Sequence, residues 1–131
     1  MPEDDCLDFQ SVVDEYLIRH RSVMDVMTKY QETTTRVNRA LAKAVTECGC
    51  VSIHAQKQQI PADTEFKELK NYMQTHLSGA PCPACQEILS KEIGHSLFYL
   101  AALCNLTGLT LDEVITKECK NVKTLGVFNL T

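Results

Sequence analysis

Lys91-Glu92-Ile93-Gly94-His95-Ser96-Leu97-Phe98-Tyr99-Leu100-Ala101-Ala102-Leu103 is the most strongly patterned run of this chain. With its flanks it places Leu89, Ile93, Leu97, Leu100, Ala101 and Cys104 at three- and four-residue steps. That is the period of a helix with one apolar side. Upstream, Pro83 suits a first helical turn, where its missing N–H costs nothing. Downstream, Gly108 is a natural C-terminal cap. The reading predicts a helix over about 83–106. Thr110, with Glu113 three residues on, is a capping-box pattern. It predicts a helix over about 110–120, with Leu111, Val114, Ile115 and Cys119 as its stripe.

Working outward, Val13, Leu17, His20, Met24 and Met27 share one helical face and predict a helix over about 8–30. Val37, Leu41, Ala44, Val45, Cys48 and Val51 predict another over about 35–58, in which Gly49 costs about 1 kcal/mol against Ala. Between Pro61 and Pro81 the pattern breaks, with one short helix expected over about 64–77 from Phe66, Leu69, Tyr72 and Met73. The tail 124–131 has no helical period, but Val127, Phe128 and Leu130 suit docking onto a core or a second chain. The expected fold is all-α, one helical domain over 1–131, like a four-helix bundle. Val13, Leu17, Leu41, Val45, Leu97, Leu100, Leu103 and Val114 are its expected core.

Composition agrees. Leu, Ile, Val and Phe make up about 26% of the 131 residues, above the roughly 20% below which chains tend to be disordered. Gly plus Pro is about 7%, against an average near 12%, which favours long helices over sandwiches and barrels. A net charge of −4 argues against non-specific nucleic-acid binding, which needs a basic face. The longest apolar run, Leu97 to Cys104, is too short to span a bilayer. Met1 is followed by Glu3, Asp4 and Asp5 rather than a basic leader, so a cytoplasmic, reducing location is expected. In that setting the seven cysteines call for metal binding or plain burial rather than disulfides. Cys104 and Cys119, on apolar stripes, read as packing residues.

Three constellations carry potential chemistry. Glu92 and His95 stand three apart on one helix face, as two metal ligands would or as a solvated acid and a half-buried imidazole. Glu47, Cys50 and His54 share the same kind of spacing, which a tight helix crossing built on small residues would also produce. Cys82-Pro83-Ala84-Cys85 is a C-x-x-C pair at a helix start, where backbone N–H groups lower a thiol pKa. No βαβ pattern surrounds it, so a thioredoxin-like enzyme is disfavoured. A structural zinc ion needs four ligands, and Cys48 and Cys50 are the available complement to Cys82 and Cys85.

The segment Lys91–Leu100 with Gly108-Leu109-Thr110-Leu111-Asp112-Glu113-Val114 resembles the second half of the MazG-like nucleotide pyrophosphohydrolases. That family is all-α and includes the dimeric dUTPases. It pairs a Glu-x-x-Glu helix with a Glu-x-x-Asp helix, and four carboxylates hold Mg²⁺ against substrate phosphates. The strong likeness covers about residues 86–120. By the resemblance, Glu47, Cys50, Glu92 and His95 form the divalent-cation site, with Glu47 and Glu92 catalytic. Lys43 or Lys91 would contact phosphate, and the chain would be a homo-oligomer. Two family carboxylates are here a thiol and an imidazole, a set that suits Zn²⁺ better than Mg²⁺. Two functions follow: a metal-dependent pyrophosphohydrolase acting on a nucleotide, or a non-catalytic helical module with a Cys/His zinc site.

Overall fold

In a computed structural model, which describes residues 8–126, two long helices run side by side. They are α2 (Val23–Lys43) and α3 (Pro83–Thr107), and their contact is the largest in the molecule. They are antiparallel: Val26 near the start of α2 packs with Ala101 and Ala102 near the end of α3. At the other end, Cys48, just beyond α2, meets Cys82, the residue before α3. A short α1 (Phe9–Tyr16) lies against α3 and adds Val13 to the core. The helix α4 (Leu111–Leu125) follows α3 after a bend of 103°. About two thirds of the described residues are helical, so the all-α class holds. No single helix among the described residues is long and apolar enough to cross a membrane.

The expected helix over 8–30 is two helices. α1 ends at Tyr16, and His20 sits in the left-handed region at φ +56°. Arg21 closes the break: its guanidinium donates to the Leu17 and Asp14 carbonyls and pairs with the Asp14 carboxylate at 2.6 Å. The Ser22 hydroxyl then caps α2 by accepting the Met24 N–H at 3.2 Å. From there α2 runs unbroken through 31–34, where the sequence pattern placed a gap. Thr33, Thr34 and Thr35 are weak helix formers. Each returns its hydroxyl to a carbonyl of the preceding turn, at 2.8–3.0 Å.

The expected helix over 35–58 is shorter too. α2 widens into a π-helical turn, Ala44–Cys48, and Gly49 ends it at φ +79°. The chain then turns into β1 (Val51–Ile53), which pairs antiparallel with β2 (Leu77–Gly79), Val51 opposite Gly79 and Ile53 opposite Leu77. The short helix expected over 64–77 is a 3₁₀ segment, Phe66–Asn71. α3 begins and ends where Pro83 and Gly108 predict. α4 starts after Thr110 as predicted, yet the Thr110 hydroxyl makes no capping bond; instead the Leu111 N–H donates to Gln10 Oε1 of α1 at 2.7 Å. It runs into the predicted tail, to Leu125, while Val127, Phe128 and Leu130 lie outside the described residues.

The core is small and made of small side chains. Val13, Val26, Ala101 and Ala102 form it, with Phe9, Leu17, Phe98, Tyr99, Leu103 and Leu111 packed around them. Leu41, Val45, Leu100 and Leu103 are half-buried, not buried. Leu97 and Val114, expected inside, are 45% and 42% exposed. α4 buries none of its residues, so within one chain the helices do not enclose a four-helix core.

Candidate metal centre

Four cysteines converge where the strand hairpin meets the two long helices. Cys48 closes the π-helical turn and Cys50 leads into β1. Cys82 is the N-cap of α3 and Cys85 lies in its first turn. Backbone geometry brings the two pairs together. Gly49, at positive φ, lets Cys48 and Cys50 bracket a sharp turn. Gly79, at φ +84°, passes so close to Cys50 that an added Cβ would stand 2.8 Å from the Cys50 carbonyl oxygen. Only glycine accepts both the angle and the approach.

All four sulfurs lie within 4.8 Å of one another, with Cys48 Sγ and Cys82 Sγ 3.8 Å apart. Sulfurs at the corners of a tetrahedron around zinc, with bonds of about 2.3 Å, stand roughly 3.8 Å apart. A disulfide, by contrast, requires about 2.05 Å, and all four thiols are free. The cluster could therefore hold a metal ion with a complete set of four ligands.

The cluster divides its protons unevenly. The Cys85 backbone N–H, then the thiols of Cys85 and Cys48, point at the Cys82 sulfur and draw it down from 9.0 to about 7. The donors carry the converse: Cys85, facing Cys50 and Cys82, is pushed up to about 12. Cys48 is raised, chiefly by Cys82. Cys82 is thus the most acidic thiol of the cluster, and the deprotonated form is the one a metal would bind.

The set Glu47, Cys50, Glu92 and His95 is not brought together in this way. Cys50 stands with Cys82 and Cys85, and Glu92 lies seven residues beyond Cys85, about 10 Å further along α3. Glu47 is exposed on the π-helical turn. His54 is beyond β1, not on a shared helix face with Cys50, because Gly49 has ended the helix.

Glu92 and His95 instead line a groove of about 670 Å³ between α2 and α3. Across it stand Lys29, Glu32, Thr33 and Arg36, with Lys91, Phe98 and Tyr99 on the α3 side. Lys43 and Glu47 are not among its lining residues. Glu32 pairs with Lys29 and with Arg36, each at 3.3 Å. These pairings hold its carboxyl below the usual range, the Lys29 hydrogen bond most. His95 Nδ1 is 3.7 Å from Glu92 Oε1, and that buried oxygen has no hydrogen-bond partner among the described residues. Glu32 escaped the sequence reading because it falls where a gap between helices was expected, and Arg36, inside the expected helix, was left without its partner. Their i, i+4 spacing was the available signal.

No known protein family matches the chain, and no curated protein or solved structure matches it either.

Proposed function

We propose that this chain is a zinc-stapled helical module in which Cys48, Cys50, Cys82 and Cys85 hold one structural Zn²⁺ ion. The observation that carries this reading is the convergence of four sulfurs within 4.8 Å. Four thiolates fill a tetrahedral shell and leave no open position for water or substrate, the mark of a structural rather than a catalytic zinc. The ion ties the end of α2 to the start of α3 and anchors the 51–81 excursion between them. A reducing compartment such as the cytoplasm keeps such a site in its thiolate form. The test is metal content. Protein purified without added metal should carry about one zinc per chain, and Cys82→Ser with Cys85→Ser should lose it. A metal-free wild type that takes up no zinc on titration would refute the reading.

A second reading concerns the groove, and the unpartnered Glu92 oxygen favours it. In this reading the chain is a MazG-like relative that binds a nucleotide there, Lys29, Arg36 and Lys91 meeting phosphates and Tyr99 or Phe98 meeting the base. Glu32 and Glu92 are the groove's carboxylates, two where the resembled enzymes use four, so Mg²⁺-dependent hydrolysis should be slow. Calorimetry with a nucleoside triphosphate, with and without Mg²⁺, tests it. Binding abolished by Arg36→Ala supports it, and no binding at millimolar nucleotide refutes it.

A further inference from the structure

The four clustered cysteines come from two places in the chain. Cys48 and Cys50 flank Gly49 at the end of the π-helical turn, while Cys82 and Cys85 open α3. A covalent bridge within either pair ties nothing together. Cys82 and Cys85 already share one helical turn, and only Gly49 separates Cys48 from Cys50. A bridge between the pairs joins the end of α2 to the start of α3, the same tie that the proposed zinc ion makes.

The sulfurs are arranged for pairing across. Cys48 Sγ and Cys82 Sγ face each other at 3.8 Å. Cys50 and Cys85 are then left with each other, and all four sulfurs lie within 4.8 Å. A disulfide bond is about 2.05 Å long, so the Cys48–Cys82 pair has about 1.8 Å to close. The cluster is also open to small solutes. Cys48 is exposed, and Cys50, Cys82 and Cys85 are half-buried.

We propose that the cluster is a redox switch: a hydroperoxide converts the four zinc-holding thiolates into Cys48–Cys82 and Cys50–Cys85 disulfides, and the ion is released. The inference rests on the zinc reading above. With hydrogen peroxide, the exposed Cys48 sulfur attacks one peroxide oxygen. An S–O bond forms, the O–O bond breaks, and hydroxide leaves with the electron pair, so Cys48 becomes a sulfenic acid. The Cys82 thiolate then attacks the Cys48 sulfur. The S–S bond forms, the S–O bond breaks, and a second hydroxide leaves. Cys50 and Cys85 repeat both steps with a second peroxide. Four thiolates lose four electrons, and two peroxide molecules gain them to become four hydroxides. Disulfide sulfurs carry no charge and no longer hold the metal, which binds thiolates. Both bridges still tie α2 to α3, so the ion leaves while the fold stays closed.

The test starts from reduced protein of measured zinc content. Hydrogen peroxide is added in steps, and free zinc is read with a chromogenic chelator. The products are alkylated and digested with trypsin without reduction. Two equivalents of peroxide should release the bound zinc. Trypsin cuts after Lys43, Lys57, Lys70 and Lys91, so the expected bridges join peptide 44–57 to peptide 71–91. The oxidised protein should melt above reduced protein stripped by chelator, and dithiothreitol with added zinc should restore the starting state. Zinc retained in a large excess of peroxide would overturn the switch and leave the zinc site standing. So would bridges confined within peptide 44–57 or within peptide 71–91. Reduced protein that neither holds nor takes up zinc would overturn the switch and the zinc reading together.

Discussion

With zinc in the four-cysteine cluster as proposed, a strong chelator should remove the cross-link between Cys50 and Cys82, and with it the closure of the 51–81 excursion. The loss can be estimated from chain entropy. Closing a loop of about 30 residues with one cross-link restricts the unfolded chain by about 3–4 kcal/mol, and metal clips act by the same constraint. For a domain of this size that is a fall in melting temperature of roughly 10–15 °C. Far-UV circular dichroism at 222 nm, with and without chelator, reads it directly. Equimolar zinc added back should restore the original midpoint, and magnesium should not, because a hard ion gains little from thiolates. Helix content at low temperature should barely change, since α1, α2 and α3 still share the Val13, Val26, Ala101 and Ala102 core. A melting curve indifferent to chelator, in a protein shown to have held zinc, would refute the claim that the ion staples the fold.

In the metal-free protein Cys82 should be alkylated first, with a rate midpoint near pH 7, while Cys85, pushed up to about 12, stays slow. Mass spectrometry of iodoacetamide-treated samples across pH checks this. The same shifts set the pH dependence of the metal-free fold. A pKa lowered from 9.0 to about 7 gives a contribution fully present above pH 9 and lost as pH falls through 7. The raised Cys48 and Cys85 act oppositely above pH 9, so the cluster's own contribution to stability should be greatest near pH 9, read as the difference in melting temperature between wild type and Cys82→Ser across pH. Gly79→Ala should cost about 1–3 kcal/mol through its φ of +84° and the Cys50 carbonyl. It should also weaken zinc binding in a competition titration. Val26→Ala, at a fully buried site, should cost about 2 kcal/mol in urea unfolding and leave zinc content unchanged.

Helix α3 was legible because Pro83, Gly108 and an unbroken apolar period agree along its whole length. The same agreement put Cys82 and Cys85 at its start, and pairing them with Cys48 and Cys50 needed only the ligand count of zinc. The break after Tyr16 was hidden because Val13, Leu17, Met24 and Met27 keep helical spacing straight across it. What ends the helix there is local and polar: an Arg21 guanidinium on the last carbonyls and a Ser22 cap on the next N–H. The gap expected over 31–34 is closed in the structure because packing of α2 on α3 overrides the weak helix propensity of Thr33 and Thr34. Gly49 reads in sequence as a costly helix residue, suited to close packing or a bend, whereas its positive φ makes it the helix stop. That difference moved Cys50 off the helix face shared with Glu47 and into the sulfur cluster. The burial of Leu97 and Val114 failed for a further reason: periodicity reports which face is apolar, not whether this chain or another covers it.

The central claim, four sulfurs around one zinc, is tested most directly by zinc K-edge X-ray absorption on the purified protein. The account predicts a single shell of four sulfur neighbours at about 2.3 Å. It also predicts that the shell is lost in Cys82→Ser with Cys85→Ser. A shell of nitrogen and oxygen neighbours at about 2.0 Å would place the metal elsewhere and contradict the account.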